Sequence, residues 1–179
     1  MMTKWLKTSA ERYMLLFIAL FFILNLTSCS LFSGEKKQDS IKVTLLAASD
    51  VNLNIHNRPS PLGIYIYELN TPDTFDNSDY YSIINNTNNA LSQQSKKLYQ
   101  AILMPGEKRN IEISPGKSSV ALGVVAAYRD INLADWNKAI MLPEVKPVPW
   151  WKLMHSEEPQ ILSIDFSKTS ISTIKWIKM

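Results

Sequence analysis

The chain has 179 residues, with 19 basic and 16 acidic side chains, five glycines, nine prolines and one cysteine, Cys29. A formal charge of +3 over this length gives no electrostatic footprint for nucleic acid. A lone cysteine excludes an intramolecular disulfide and any cysteine-based zinc or iron–sulfur centre, and five glycines write neither a dinucleotide fingerprint nor a P-loop.

The first segment has the layout of a secretory signal. Lys4, Lys7 and Arg12 precede an apolar run over residues 14–26, and Leu26-Thr27-Ser28-Cys29 follows. Leu-Thr-Ser-Cys is a lipobox, so Cys29 is the expected lipidation site, with cleavage in front of it. The run is 13 residues long, against the roughly 20 that a spanning helix needs. Several acyl chains on Cys29 would anchor the protein firmly without a span, since one chain binds only marginally. Ser30 stands where an aspartate would retain a lipoprotein at the inner membrane, which favours the outer membrane, periplasmic face. Loss of residues 1–28 removes three basic residues and one acidic one and leaves a net charge of +1. The expected division is residues 1–28 signal peptide, 29–40 acylated cysteine and flexible polar tether, and 41–179 one domain.

Along that domain, Ile41, Val43, Leu45 and Ala47 alternate with polar residues and predict a half-buried strand. Residues 52–61 combine asparagines with Pro59 and Pro61 and predict a turn-rich loop. Residues 62–69 predict a second strand. Residues 73–94 have helical spacing through Phe75, Tyr80, Tyr81, Ile83 and Ile84, broken by asparagines, and predict one or two short helices. Strands are expected at 97–104 and 108–113, joined by a Pro105-Gly106-Glu107 turn. The nearly all-apolar stretch 120–128 predicts a central strand covered on both faces. Residues 137–142, 160–166 and 170–178 complete about eight strands, with Pro143, Pro147 and Pro149 interrupting any ladder up to Trp150 and Trp151. The pattern reads as an all-β antiparallel sandwich or barrel with a small helical insertion.

Catalytic constellations are missing. There is neither a Gly-x-Ser-x-Gly elbow nor a His-Glu-x-x-His motif, and the two histidines, His56 and His155, lie far apart. The carboxylate pairs Asp76/Asp79 and Glu157/Glu158 read as solvated faces or helix-start charges. The chain reads as a non-enzyme with no cofactor, no metal and no small-molecule substrate.

Two segments carry a resemblance. One is Asn52-Leu53-Asn54-Ile55-His56-Asn57-Arg58-Pro59-Ser60-Pro61, continuing through Tyr65 and Tyr67 to Leu69. The other is Ala126-Ala127-Tyr128-Arg129-Asp130, with Trp136 soon after. With the lipobox and the Pro-Gly-Glu turn, their order resembles the TssJ family, outer-membrane lipoproteins of bacterial type VI secretion systems. In that family a Gly-Arg-Pro-Ser-Pro leads into a strand ending Tyr-x-Leu, and a later strand ends Ala-Ala-Phe-Arg-Asp. Asn57 replaces the glycine, Tyr65 stands where arginine is common, and Tyr128 replaces phenylalanine.

The resemblance implies a two-sheet transthyretin-like β-sandwich. It also implies a role in holding the periplasmic part of an inner-membrane TssM-type protein, through the loop between the first two strands. On that reading Asn52, Asn54, Ile55, His56, Asn57 and Arg58 are the partner-binding residues. Pro59, Pro61, Tyr67, Arg129, Asp130 and Trp136 are structural, with an ion pair or a turn-forming bond expected at Arg129 and Asp130. Prolines in the loop restrict its backbone and lower the entropy cost of ordering it. They also suit a plain strand entrance, and both readings stand. The alternative from another class is a periplasmic ligand- or carbohydrate-binding sandwich, for which Trp150-Trp151 would supply the stacking surface.

Overall fold

A computed structural model describes residues 13–14, 40–143 and 160–178. Cys29, His155, Glu157, Glu158 and the Trp150-Trp151 loop lie outside them. Tyr13 and Met14 are helical and exposed. Among the described residues no helix is long and apolar enough to cross a membrane.

From Ile41 onward the described residues form eight strands and three short helices. The strands are β1 (Ile41–Ala47), β2 (Leu62–Leu69), β3 (Ser95–Leu103), β4 (Lys108–Ile113), β5 (Ala121–Ala127), β6 (Asn137–Met141), β7 (Gln160–Phe166) and β8 (Ile171–Lys178). The helices α1 (Pro72–Asp76), α2 (Tyr80–Ile84) and α3 (Asn89–Gln94) lie between β2 and β3. Two four-stranded sheets result, in the orders β4-β1-β7-β8 and β3-β2-β5-β6. Every pairing is antiparallel except β1 with β7, where Val43 lies opposite Leu162 and Leu45 opposite Ile164 in parallel register.

The period-2 pattern of β1 does what such a pattern predicts. Val43, Leu45 and Ala47 are buried in the inter-sheet core with Leu62, Ile64 and Ile66 of β2, Leu122, Val124 and Ala126 of β5, and Leu162, Ile164 and Phe166 of β7. β5 is apolar on both faces because it is covered on both. Its other face, with Val125 and Ala121, joins Tyr67 and Leu69 under a second cluster made by Phe75, Ile83 and Leu91 of the three helices. The molecule therefore has three layers: sheet, sheet and a thin helical cover.

The helical segment is three helices where one or two were expected. Each has five or six residues, too few to hold a helix by propensity. Side chains cap two of them: Asp79 accepts from the Ser82 N–H, and Asn88 accepts from the Ala90 and Leu91 N–H groups. Each helix then buries one anchor, Phe75, Ile83 or Leu91. Asn86, at φ 54°, lies in the break between α2 and α3, a conformation asparagine accepts.

Side chains stitch the sheet edges on both sides of the sandwich. Arg109 of β4 donates to the Ile102 carbonyl of β3 at 3.1 Å and lies 3.4 Å from the Tyr99 hydroxyl. On the other side Trp176 Nε1 of β8 donates to the Met141 carbonyl of β6 at 3.2 Å, and Lys138 Nζ reaches the Ile171 carbonyl. Edge carbonyls satisfied in this way are poor templates for unwanted strand pairing.

Candidate functional site

All four connections β1–β2, β3–β4, β5–β6 and β7–β8 lie at one end of the sandwich, and the chain enters at the other. Ile41 opens β1 opposite Ile113, where Ser40 bonds the Glu112 carboxylate. β1 ends at Ala47, whose N–H donates to the Glu107 carbonyl of the β3–β4 turn at 2.9 Å. The Ala48 carbonyl accepts from Gly106 N–H at 3.2 Å. The loop over residues 48–61 thus begins beside that turn.

Asn52 ties the loop to its other neighbours. It is 6% exposed at φ 53°. Its Nδ2 donates to the Pro61 carbonyl at 2.7 Å, its Oδ1 accepts from Arg129 N–H at 2.8 Å, and its own N–H donates to the Lys168 carbonyl at 3.1 Å. One side chain and its amide thereby join the 48–61, 128–136 and 167–170 loops. The sequence groups Asn52 with the partner-contacting residues; in the structure its side-chain amide bonds within the domain.

Above this brace the loop is a narrow finger. Ser60 N–H donates to the Val51 carbonyl at 3.2 Å, and Asn54 N–H to the Arg58 carbonyl at 2.9 Å. Asn54 Oδ1 accepts from His56 N–H at 2.9 Å and Arg58 N–H at 3.0 Å, an Asx turn that closes the tip. Asn57 has φ 54°, which explains why asparagine can stand where the resemblance has glycine. Ile55, His56, Asn57, Arg58 and Pro59 are exposed, Ile55 to 86%. Asn54 shapes the tip and Ile55 is what the tip displays. An apolar side chain on a hydrogen-bonded finger is pre-organised for contact, since little entropy remains to be lost on binding.

Of the residues read as structural, Pro59 and Pro61 belong to this loop and the others lie outside it. Tyr67 is buried with its ring centroid 6.2 Å from that of Phe75, and burial pushes its phenol up to about 12. Trp136 is half-buried between the two clusters, edge-on to Tyr80 at 5.4 Å. Pro59 and Pro61 are exposed, and Pro61 immediately precedes β2. Arg129 and Asp130 are exposed and make no salt bridge among the described residues. The ion pair is therefore absent there, and this turn is held by Leu133 N–H to the Asp130 carbonyl at 3.3 Å and by Arg129 N–H to Asn52 Oδ1 at 2.8 Å. Tyr128, in the position of the resemblance's phenylalanine, is buried and uses its extra hydroxyl to donate to the Ser167 carbonyl at 3.2 Å.

Sequence reading missed the neighbours of the finger. Leu133 is 78% exposed in the mixed stretch Ile131-Asn132-Leu133-Ala134, where no periodicity separates an outward apolar residue from an inward one. Met104 and Ile102, at the β3–β4 end, are 57% and 63% exposed. Among the described residues no three His, Cys, Asp or Glu side chains gather as a metal site. Asp79 is used as a helix cap, and hydrogen bonds from the Ser82 side chain and N–H hold its carboxyl below the usual range.

No curated protein matches the chain. Solved structures with this fold include the T6SS lipoprotein TssJ1 from Pseudomonas aeruginosa, at 24% identity and TM-score 0.64, covering 79% of this chain and 97% of that one. Serratia marcescens Lip, a membrane-bound component of the type VI secretion system, matches at 19% identity and TM-score 0.64 over 79% and 98%. A structure described as the T6SS protein TssM C-terminal domain from EAEC matches at 18% identity and TM-score 0.57 over 76% and 99%. At these identities the likeness establishes the sandwich fold. The family T6SS-SciN, described as type VI secretion lipoprotein, VasD, EvfM and TssJ, matches residues 39–165, and the chain belongs to that family.

Proposed function

We propose that this lipoprotein is anchored by acylated Cys29 at the periplasmic face of the outer membrane and holds the periplasmic part of a TssM-type inner-membrane protein. Residues 1–28 are the signal, residues 29–40 the anchor and leash, and residues 41–179 the partner-binding sandwich. The role is structural, with no catalytic step. Family membership supports the secretion role, and a matching chain in a structure described as the TssM C-terminal domain supports the partner.

One observation carries the choice of site: the 86% exposed Ile55 at the tip of a finger braced by Asn52 and Asn54. A core-type side chain held out on a rigid loop is an anchor awaiting a pocket. Replacing residues 54–57 in the full-length protein by a Gly-Ser segment of equal length tests this. Affinity for the purified periplasmic region of the partner is expected to fall at least about thirtyfold, or roughly 2 kcal/mol. The melting temperature is expected to stay within a few degrees, because the tip contributes nothing to the core. Unchanged affinity in a folded variant would place the interface elsewhere.

A further inference from the structure

We infer that the interface does not stop at the finger, and that Leu133 of the β5–β6 loop and Met104 of the β3–β4 turn flank Ile55 as further apolar anchors for the same periplasmic segment of the inner-membrane partner. This rests on the partner reading above and extends it.

Size is the first argument. A stable protein–protein interface uses about 20–30 residues a side. The finger offers five exposed residues, 55–59, so a stable contact must draw on neighbouring surface.

The topology then says which surface. Ala48 joins the finger's base to Gly106 on one side, and Asn52 joins it to Arg129 on the other. Ile55 and Leu133, at 86% and 78%, are the two most exposed large apolar side chains among the described residues, and both lie at this end. Met104 adds 57% exposure from the opposite flank. The rim carries both charge signs, with Asp50, Arg58, Arg129, Asp130 and Lys168. Apolar anchors inside a mixed polar rim are the anatomy of a protein contact rather than of a lipid-binding surface, which would favour one-signed basic residues.

The flanks are held as firmly as the finger. Met104 N–H donates to Glu107 Oε2 at 2.8 Å, and Arg109 Nε donates to Glu107 Oε1 at 2.8 Å. Both contacts hold the Glu107 carboxyl below its usual range, the Met104 N–H foremost. The β5–β6 loop is tied by Asp135 N–H to the Thr169 carbonyl at 3.0 Å and Ile171 N–H to the Asp135 carbonyl at 3.0 Å. Finally, the leash enters at Ser40, at the opposite end of the sandwich. The three apolar side chains therefore sit at the end of the sandwich opposite the one at which β1 begins.

The test uses the full-length lipidated protein in detergent and the purified periplasmic region of the partner. Leu133→Asp and Met104→Asp are each expected to weaken binding at least about tenfold. Leu133→Ala and Met104→Ala are expected to produce smaller losses, and the melting temperature is expected to stay unchanged throughout. Met141→Asp is the matched control. Met141 is 58% exposed, at the opposite end, and its substitution is expected to leave affinity within about twofold. If Ile55→Asp weakens binding while the Leu133 and Met104 variants bind like the unaltered protein, the inference falls and the partner reading stands. If the unaltered protein does not bind, both fall. Loss of self-association or of vesicle binding, with partner affinity intact, would assign the patch to a second copy or to lipid and also overturn the inference.

Discussion

Asn52 shows how much one side chain can decide. It holds a left-handed backbone angle, a position costly for most residues, and is joined to Pro61, Arg129 and Lys168. Asn52→Ala would leave the Pro61 carbonyl and the Arg129 N–H without partners and add backbone strain. A loss of about 2–3 kcal/mol is expected, read as a melting temperature lower by roughly 5–10 °C. Asn52→Gly relieves the strain but not the lost bonds, so it is expected to fall between the two. Gly123 is a second such position. A Cβ there would lie 2.7 Å from Phe75 Cζ, so Gly123→Ala is expected to cost about 1–3 kcal/mol by pushing α1 off the sheet. Alkaline titration reads the buried phenols. Tyr67 is raised to about 12 and Tyr128 is raised too, in each case by burial first. Their folded values exceed the unfolded value near 10, so the stability linked to them is complete below about pH 10 and is lost as pH rises toward and through about 12. Ultraviolet absorbance is expected to show these two phenols ionising only as the domain unfolds.

At the scale of elements, the three helices illustrate structure imposed by packing. Each buries a single large apolar side chain on the outer face of the β3-β2-β5-β6 sheet, and none is long enough to persist alone. Phe75 touches both Tyr67 and the space above Gly123. Phe75→Ala is therefore expected to destabilise by about 3–4 kcal/mol and to expose residues 77–89 to protease before the sheets open. Limited proteolysis with mass spectrometry checks the order of cleavage. Equal protection of this segment and the strands would mean that the helices are anchored by more than their three buried side chains.

For the molecule as a whole, the two ends of the sandwich differ in structure. The chain enters at one, and the braced finger projects from the other. Circular dichroism of the protein is expected to be dominated by strand, since helices in the described domain are confined to residues 72–94. Cys29→Ser is expected to leave an unprocessed or soluble protein and to abolish assembly of the secretion complex. Fractionation with labelled palmitate checks it. A Cys29→Ser protein that still partitions with the outer membrane and supports secretion would remove the anchor from the mechanism.

Much of this could be read from the residues alone, and what could not has a physical cause. Alternation in Ile41-Lys42-Val43-Thr44-Leu45 and the unbroken apolar run of β5 are local consequences of which faces are buried, so strands and their coverage are legible in one dimension. Left-handed tolerance at Asn57 and the proline-restricted finger are likewise properties of single residues. The motif order sufficed to recognise the family because it records turns and strand ends at fixed spacings. Three things were settled only by folding. The parallel pairing of β1 with β7 joins segments more than a hundred residues apart. The Arg129–Asp130 turn is held by one backbone bond and by Asn52, 77 positions before Arg129, which no local pattern records. The division of the finger into an internal brace and an outward tip depends on which asparagine faces its neighbours. Asparagine chemistry is the same at Asn52, Asn54 and Asn57, and only the loops packed around each one decide whether it holds the fold together or shapes an exposed tip.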